Sequence, residues 1–361
     1  MSLEKRIGLI KQVGEEIVTE DELRQLLRKK KHPVAYDGFE PSGNIHIAQG
    51  LLRAININKM TRAGCRFKML VADWHGWANN KMGGDLEKIR TVGKYLIEVW
   101  KVAGMDLDRV EFVWVSDYVT DEEYWKKVMQ VARNTTVKRI IRCGQIMGRK
   151  EGEVIQSSQI LYPCMQAADI FHLGADICQL GMDQRKVNIL AREIGPKLGF
   201  WKPVIVSHHM LMGLTPPAFH ILPTISKEER TIELKMSKSV PDSSIFMTDP
   251  PNEVERKISK AYCPPKVIHE NPVLEYMKHI VFEKYRKVKI NRDRKFGGDL
   301  EVNSFDELET MFREDNIHPL DLKNATASYI NELLEPVRKH FEKSRKAKGL
   351  LDFVKKQDVT R

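Results

Sequence analysis

The chain has 361 residues, 42% hydrophobic and 30% charged, which suits an ordinary soluble protein with room for two domains and a sizeable core. No apolar run reaches the roughly 18 residues of a membrane span, and Met1-Ser2-Leu3-Glu4-Lys5-Arg6 lacks a signal-peptide apolar region, so no membrane partner and a cytoplasmic setting are expected. Five cysteines without a C-x-x-C pair point to reduced thiols rather than disulfides or zinc, and the net charge of +10 suits a polyanionic partner.

Residues 4–31 read as one or two leader helices ending in Arg28-Lys29-Lys30-Lys31. Strands are then predicted at 33–36, 67–72, 110–115 and 204–206. Between them, Ile89, Val92, Leu96, Val99 and Ala103 recur at helical spacing. Strand–helix alternation implies a parallel sheet with crossover helices and a ligand crevice at the carboxyl ends of the strands, where Tyr36 and Asp73 fall. The stretch 211–234, with prolines 216, 217 and 223, is longer than a minimal connector and reads as a flap or an inert excursion. From Pro250 the pattern turns helical, over 252–261, 272–282, 304–313, 319–334 and 335–353. The expected organisation is α/β: leader helices 1–31, a Rossmann-like parallel-sheet catalytic domain 32–240, and a mainly helical domain 241–361.

Charge is unevenly spread. Residues 133–150 carry six basic and no acidic side chains, and 284–295 carry seven basic ones against Asp293. Lys138, Arg139 and Arg142 share one predicted helix as a basic stripe. Each run alone is an ordinary solvated face; two of them beside a nucleotide motif favour RNA.

That motif is Tyr36-Asp37-Gly38-Phe39-Glu40-Pro41-Ser42-Gly43-Asn44-Ile45-His46, running from a strand through a turn into a helix. Gly38 and Gly43 allow close backbone approach, the helix start offers free amides to an anion, and His46 in the first turn can donate to phosphate oxygens. Far downstream, Lys235-Met236-Ser237-Lys238-Ser239 places two ammonium groups on a loop that can close on a departing pyrophosphate. Tyr162, Gln166 and Asp169 stand at i, i+4 and i+7 on one helical face, where an acid among apolar residues is either a capped core group or has a task.

Together these motifs resemble those of the class I aminoacyl-tRNA synthetases, more closely the tyrosyl-tRNA synthetases of the archaeal and eukaryotic type, from Tyr36 to Asp321. The chain departs from the His-x-x-His signature at His46-Ile47-Ala48-Gln49, where Gln49 can donate a hydrogen bond but carries no charge. The resemblance implies activation of L-tyrosine with ATP, Mg2+ arriving with the nucleotide and no protein-bound metal, then transfer to tRNA(Tyr) by a homodimer. It implies catalysis by His46, Gln49, Lys235 and Lys238. Tyrosine would bind Tyr36, Tyr162, Gln166, Asp169 and Gln184, and ATP would bind Gly38, Gly43, His46, Asp183, Met236 and Lys238. Asp183 is equally a loop-capping residue on spacing alone. For tRNA it implies Arg142, Arg185 and Lys186 at the acceptor stem, with plain phosphate contact open for the arginines, and Phe296, His318 and Asp321 at the anticodon. A tryptophan-specific relative and a catalytically dead RNA-binding paralogue are the rival expectations.

Overall fold

The structure, a computed structural model, describes residues 1–144, 156–217 and 227–357, and the side chains of all of these but 227, 228 and 296. The end of the first basic run (145–150), the centre of the long stretch (218–226) and the Phe296 side chain therefore lie outside the described residues.

Six strands form one sheet in the order β1-β6-β5-β2-β3-β4. They are β1 Gly14–Val18, β2 Val34–Phe39, β3 Arg66–Val71, β4 Val110–Trp114, β5 Ile177–Gly181 and β6 Val204–His208. Strands β2 to β6 run parallel, and β1 pairs antiparallel with β6. The connecting helices are α1 Leu3–Lys11, α2 Glu20–Lys29, α3 Arg53–Arg62, α4 Asp73–Ala78, α5 Leu86–Val102, α6 Glu122–Arg133, α7 Val137–Cys143, α8 Ser157–His172, α9 Arg185–Ile194 and α10 Lys227–Leu234. Beyond them come α11 Pro251–Ser259, α12 Pro272–Tyr276, a π-helical turn Met277–Val281, α13 Phe282–Lys284, a two-stranded β7 Val288–Ile290 and β8 Leu300–Val302, α14 Phe305–Arg313, α15 Pro319–Lys343 and α16 Arg345–Lys355.

Three expectations change. The leader is helix, strand, helix: Gly-Glu-Glu-Ile-Val, too acidic to read as a strand, is extended because its backbone completes the edge of β6. The helical part contains the β7–β8 hairpin. The helix expected to break at 334 runs on through Pro336 to Lys343, because Ile330, Leu334, Val337 and Phe341 form one buried stripe whose packing outweighs the proline's cost of about 3 kcal/mol. The break falls at Ser344, whose hydroxyl caps α16 through the Ala347 amide at 3.2 Å.

Alternation along β2 places Ala35 and Phe39 in a core shared with α1, α3, α5 and the helical part, and Tyr36 in a second core shared with α6, α8 and α9. No helix among the described residues is long and apolar enough to cross a membrane. The five cysteines are all buried and free.

Helix α5 approaches the sheet closely through Gly93, where an added Cβ would stand 2.7 Å from the Trp114 ring and 3.1 Å from Val71. Neither neighbour can give way cheaply. Gly93→Ala is expected to lower the unfolding free energy by about 1–3 kcal/mol, read from urea denaturation.

Candidate active site

The crevice lies at the carboxyl end of β2, which β3 flanks on one side and β5 on the other, the point where the strand order reverses. Helix α8 crosses it. Its three expected residues are buried on that face, Asp169 completely. The Asp169 carboxylate accepts the Tyr118 hydroxyl at 2.8 Å and stands 3.0 Å from His75 Nε2. It takes no backbone donor among the described residues, so it is not a capping group. The Tyr36 hydroxyl, 1% exposed, makes no well-formed hydrogen bond, although the Gln166 amide interacts with it. Burial, then Cys178 and the Asp169 charge, hold the Tyr36 phenol far above its ordinary range; burial followed by Asp169 does the same for Tyr118 and Tyr124. One buried carboxylate thus faces three protonated phenols.

The remaining pocket residues join this group. Tyr162 donates to Glu40 at 3.0 Å and packs edge-on against His75 at 4.8 Å. Glu40 is also held by Asn79, at 3.2 Å, and lies 3.6 Å from Lys81. Gln166 Nε2 donates to Gln184 Oε1 at 3.1 Å. All five expected tyrosine contacts line one pocket region, and His75, Tyr118, Tyr124 and Glu40 were missed. Glu40 sits inside the glycine-rich motif and His75 two residues after Asp73, which were usable signals; nothing in the sequence singles out the two tyrosines.

At the phosphate end the turn differs from expectation in three ways. Gly43 needs its freedom, at φ +111°, but a Cβ on Gly38 would meet Leu70 at an ordinary 3.6 Å. The close-approach glycine is Gly50, against Met247. His46 precedes the first turn, its carbonyl accepting the amides of Gln49 and Gly50 at 3.0 and 2.9 Å, and the Ile47 amide is already taken by Ile245 O. Gln49 lies in a π-helical turn, Ala48–Leu52, fixed by Trp100 Nε1 donating to its carbonyl at 2.9 Å. Gln49 Oε1 and His46 Nδ1 have no hydrogen-bond partner among the described residues.

Burial, then the charges of Lys238, Arg53 and Lys235, hold His46 neutral. Lys238 Nζ reaches Ser42 Oγ at 3.4 Å; burial, then Lys81, brings its pKa down to about 7. Lys235 Nζ donates to Asp183 at 2.8 Å, and although burial pushes that carboxyl up, Lys235 holds it below its ordinary range. Met236 is buried and its amide donates to Leu211 O at 2.7 Å. A further ion pair went unread: Arg53 Nε lies 2.9 Å from Asp37, whose pKa burial raises to about 6 against the pull of Arg53. Among the described residues no cluster of three or more His, Cys, Asp or Glu side chains could hold a metal ion.

Two distant motifs therefore meet in one crevice, as in an adenylate-forming synthetase. The family model described as tRNA synthetases class I (W and Y) matches residues 28–335. The cytoplasmic tyrosine–tRNA ligase 1 of Arabidopsis thaliana is 50% identical over 99% of this chain and 90% of its own length. This chain belongs to the tyrosyl-tRNA synthetase family. The tyrosine–tRNA ligase of Thermococcus sibiricus is 41% identical over the whole of both chains. The crystal structure of the Pyrococcus horikoshii tyrosyl-tRNA synthetase with L-tyrosine superposes with a TM-score of 0.90 at 39% identity, covering 98% of this chain and all of that one.

The residues expected to meet RNA lie in two parts of the fold, on α7 and α9 and in the helical part. Arg142 is exposed on α7 and Lys186 on α9, the two helices tied by Cys143 Sγ to Lys186 O at 3.7 Å. Arg185 holds Glu16 of β1 through contacts of 2.6 and 2.9 Å, and Arg139 of the basic stripe is paired with Glu193. In the helical part, the segment holding Phe296 adjoins that holding His318: Arg292, unread in the sequence, donates to Gly298 O at 2.9 Å and to Asn316 O at 3.0 Å. His318 Nδ1 accepts the Leu320 amide at 3.2 Å. His318 therefore caps α15, and Asp321 lies half-buried in its first turn.

A lysine poised near pH 7 beside a phosphate site takes up a proton when an anion raises its pKa. Binding of inorganic pyrophosphate at pH 8 is expected to be accompanied by proton uptake that vanishes below about pH 6. Calorimetry in buffers of different ionisation enthalpy reads it, and Lys238→Met should abolish it.

Proposed function

We propose that this chain is a cytoplasmic tyrosine–tRNA ligase, using Mg·ATP and acting as a homodimer. The observation that carries this reading is the buried Asp169 carboxylate beside the Tyr36 hydroxyl, in the crevice that the Lys235–Lys238 loop also enters. A phenolic hydroxyl satisfies both groups, accepting from Tyr36 and donating to Asp169. Phenylalanine offers neither bond, at a loss of about 1–3 kcal/mol each. An indole offers a donor only, which disfavours tryptophan.

Tyr162, Gln166 and Gln184 hold the substrate ammonium. Because Tyr162 gives its own proton to Glu40, its hydroxyl oxygen is turned into an acceptor there. The tyrosine carboxylate attacks the α-phosphorus of ATP, the bond to the β-phosphate bridging oxygen breaks, and pyrophosphate leaves with Mg2+. Lys235 and Lys238 neutralise that departing charge, with Lys235 releasing Asp183 to accept a ribose hydroxyl. Neutral His46 donates an N–H to the phosphate oxygens, Gln49 adds an uncharged donor, and Gly38, Gly43 and Met236 shape the nucleotide site. The terminal ribose hydroxyl of tRNA then takes the tyrosyl group and AMP departs; no protein nucleophile is required.

Arg142, Arg185 and Lys186 contact the acceptor stem, while Phe296, His318 and Asp321 receive the anticodon. His318, capping through Nδ1, keeps its Nε2–H and ring face for a base. Exposed Met129, Val137 and Ile141, at 53%, 60% and 42% exposure, give α6 and α7 an apolar surface that supports the homodimer. An intact phosphate loop and pocket speak against a catalytically dead paralogue.

ATP–pyrophosphate exchange across all twenty amino acids, without tRNA, is expected to respond to tyrosine alone. Asp169→Ala should lower it at least about a hundredfold. Exchange with tryptophan, or none at all, overturns the reading. His318→Ala and Asp321→Ala should weaken tRNA aminoacylation by about 1–3 kcal/mol each while leaving that exchange unchanged.

A further inference from the structure

The lysine loop is anchored from outside the sheet. Segments 211–214 and 234–236 pair antiparallel, Gly213 N donating to Leu234 O at 2.9 Å and Met236 N to Leu211 O at 2.7 Å, with Met212 opposite Lys235. In such a non-hydrogen-bonded pair the N–H and C=O of Met212 point to the other edge. Helix α12 supplies side chains there in place of a third strand: Glu275 Oε2 accepts the Met212 amide at 3.0 Å, and the Tyr276 hydroxyl donates to the Met212 carbonyl at 2.8 Å. Met212 and Tyr276 are both buried, so neither backbone group has water as a ready substitute.

Glu275 is itself held in place. His209, which follows β6, stands 3.1 Å from Glu275 through Nε2 and 3.1 Å from Glu15 of β1 through Nδ1, and stacks on His279 at 4.5 Å. On the other flank of the loop, Arg230 of α10 pairs with Glu270. The helical part thus holds the segments next to the loop at Met212 and at Arg230, through groups that touch neither Lys235 Nζ nor Lys238 Nζ.

We propose that Glu275 and Tyr276 are positioning residues for Lys235 and Lys238, setting where the two ammonium groups stand when pyrophosphate leaves, so that the seating of the helical part governs the activation step. This deepens the ligase reading and rests on it. Because the lysines act on charge that develops as the bond breaks, a misplaced loop lowers kcat and leaves tyrosine binding alone.

The test is exchange kinetics on full-length Tyr276→Phe and Glu275→Gln, which keep shape and remove one hydrogen bond or one charge. Expected is a fall in kcat of about five- to tenfold with KM for tyrosine unchanged. In a Lys235→Ala/Lys238→Ala background the same changes should matter less than about twofold, since both groups they position are gone. Wild-type kcat in both variants, equal effects with and without the two lysines, or a raised KM for tyrosine in place of the kcat loss overturns the proposal. Limited trypsin cleavage after Lys235 and Lys238 gives a reading independent of activity. It should quicken about five- to tenfold in both variants, and an unchanged rate counts against the anchor. A wild-type protein without exchange overturns the ligase reading alone, and the tryptic rates then decide the anchor by themselves.

Discussion

Strand β2 is paired in parallel on both sides, with β3 and with β5, and the chain leaves its carboxyl end with no strand above it. That arrangement obliges a crevice there, and everything chemical in the molecule is built around it. Tyr36 points from β2 to the α8 face. Asp37, the next residue, grips Arg53 at the start of α3, and Arg53 lies over the Trp100 ring at 5.9 Å. Trp100 in turn holds the Gln49 carbonyl. The His46–Gln49 segment is therefore fixed to the strand by a buried ion pair and an indole rather than by the glycine-rich turn itself.

The crevice is electrically divided. At one end lies a buried carboxylate among phenols; at the other, burial and then Lys238, Arg53 and Lys235 keep a histidine neutral. Burial, then the neighbouring Lys81 charge, costs Lys238 affinity for its proton, while Lys235 is paired with Asp183.

Much of the scaffold was legible from local pattern. The strands with apolar runs and the amphipathic α5 follow from periodicity, and the helical character after Pro250 follows from the change in it. Strand β5 escaped, because Gln179 and Gly181 interrupt its apolar run, and β1 escaped because its extended form depends on the β6 edge and not on its own residues. The proline in α15 was read locally as a break, while the buried stripe that overrides it is a tertiary fact.

For the site, the sequence by itself determined the chemical inventory: the glycine-rich turn with His46, the two-lysine loop, and the polar face of α8. Those are signals because such residue types at such spacings are rare without a task. Only the tertiary structure decided which groups complete them. His75, Tyr118, Arg53, Glu275 and Tyr276 come from segments separated by tens to hundreds of residues and carry no motif. Their partners are set by which strand ends lie side by side and by what a buried charge or an open backbone edge must find, a condition that exists only once the chain has folded.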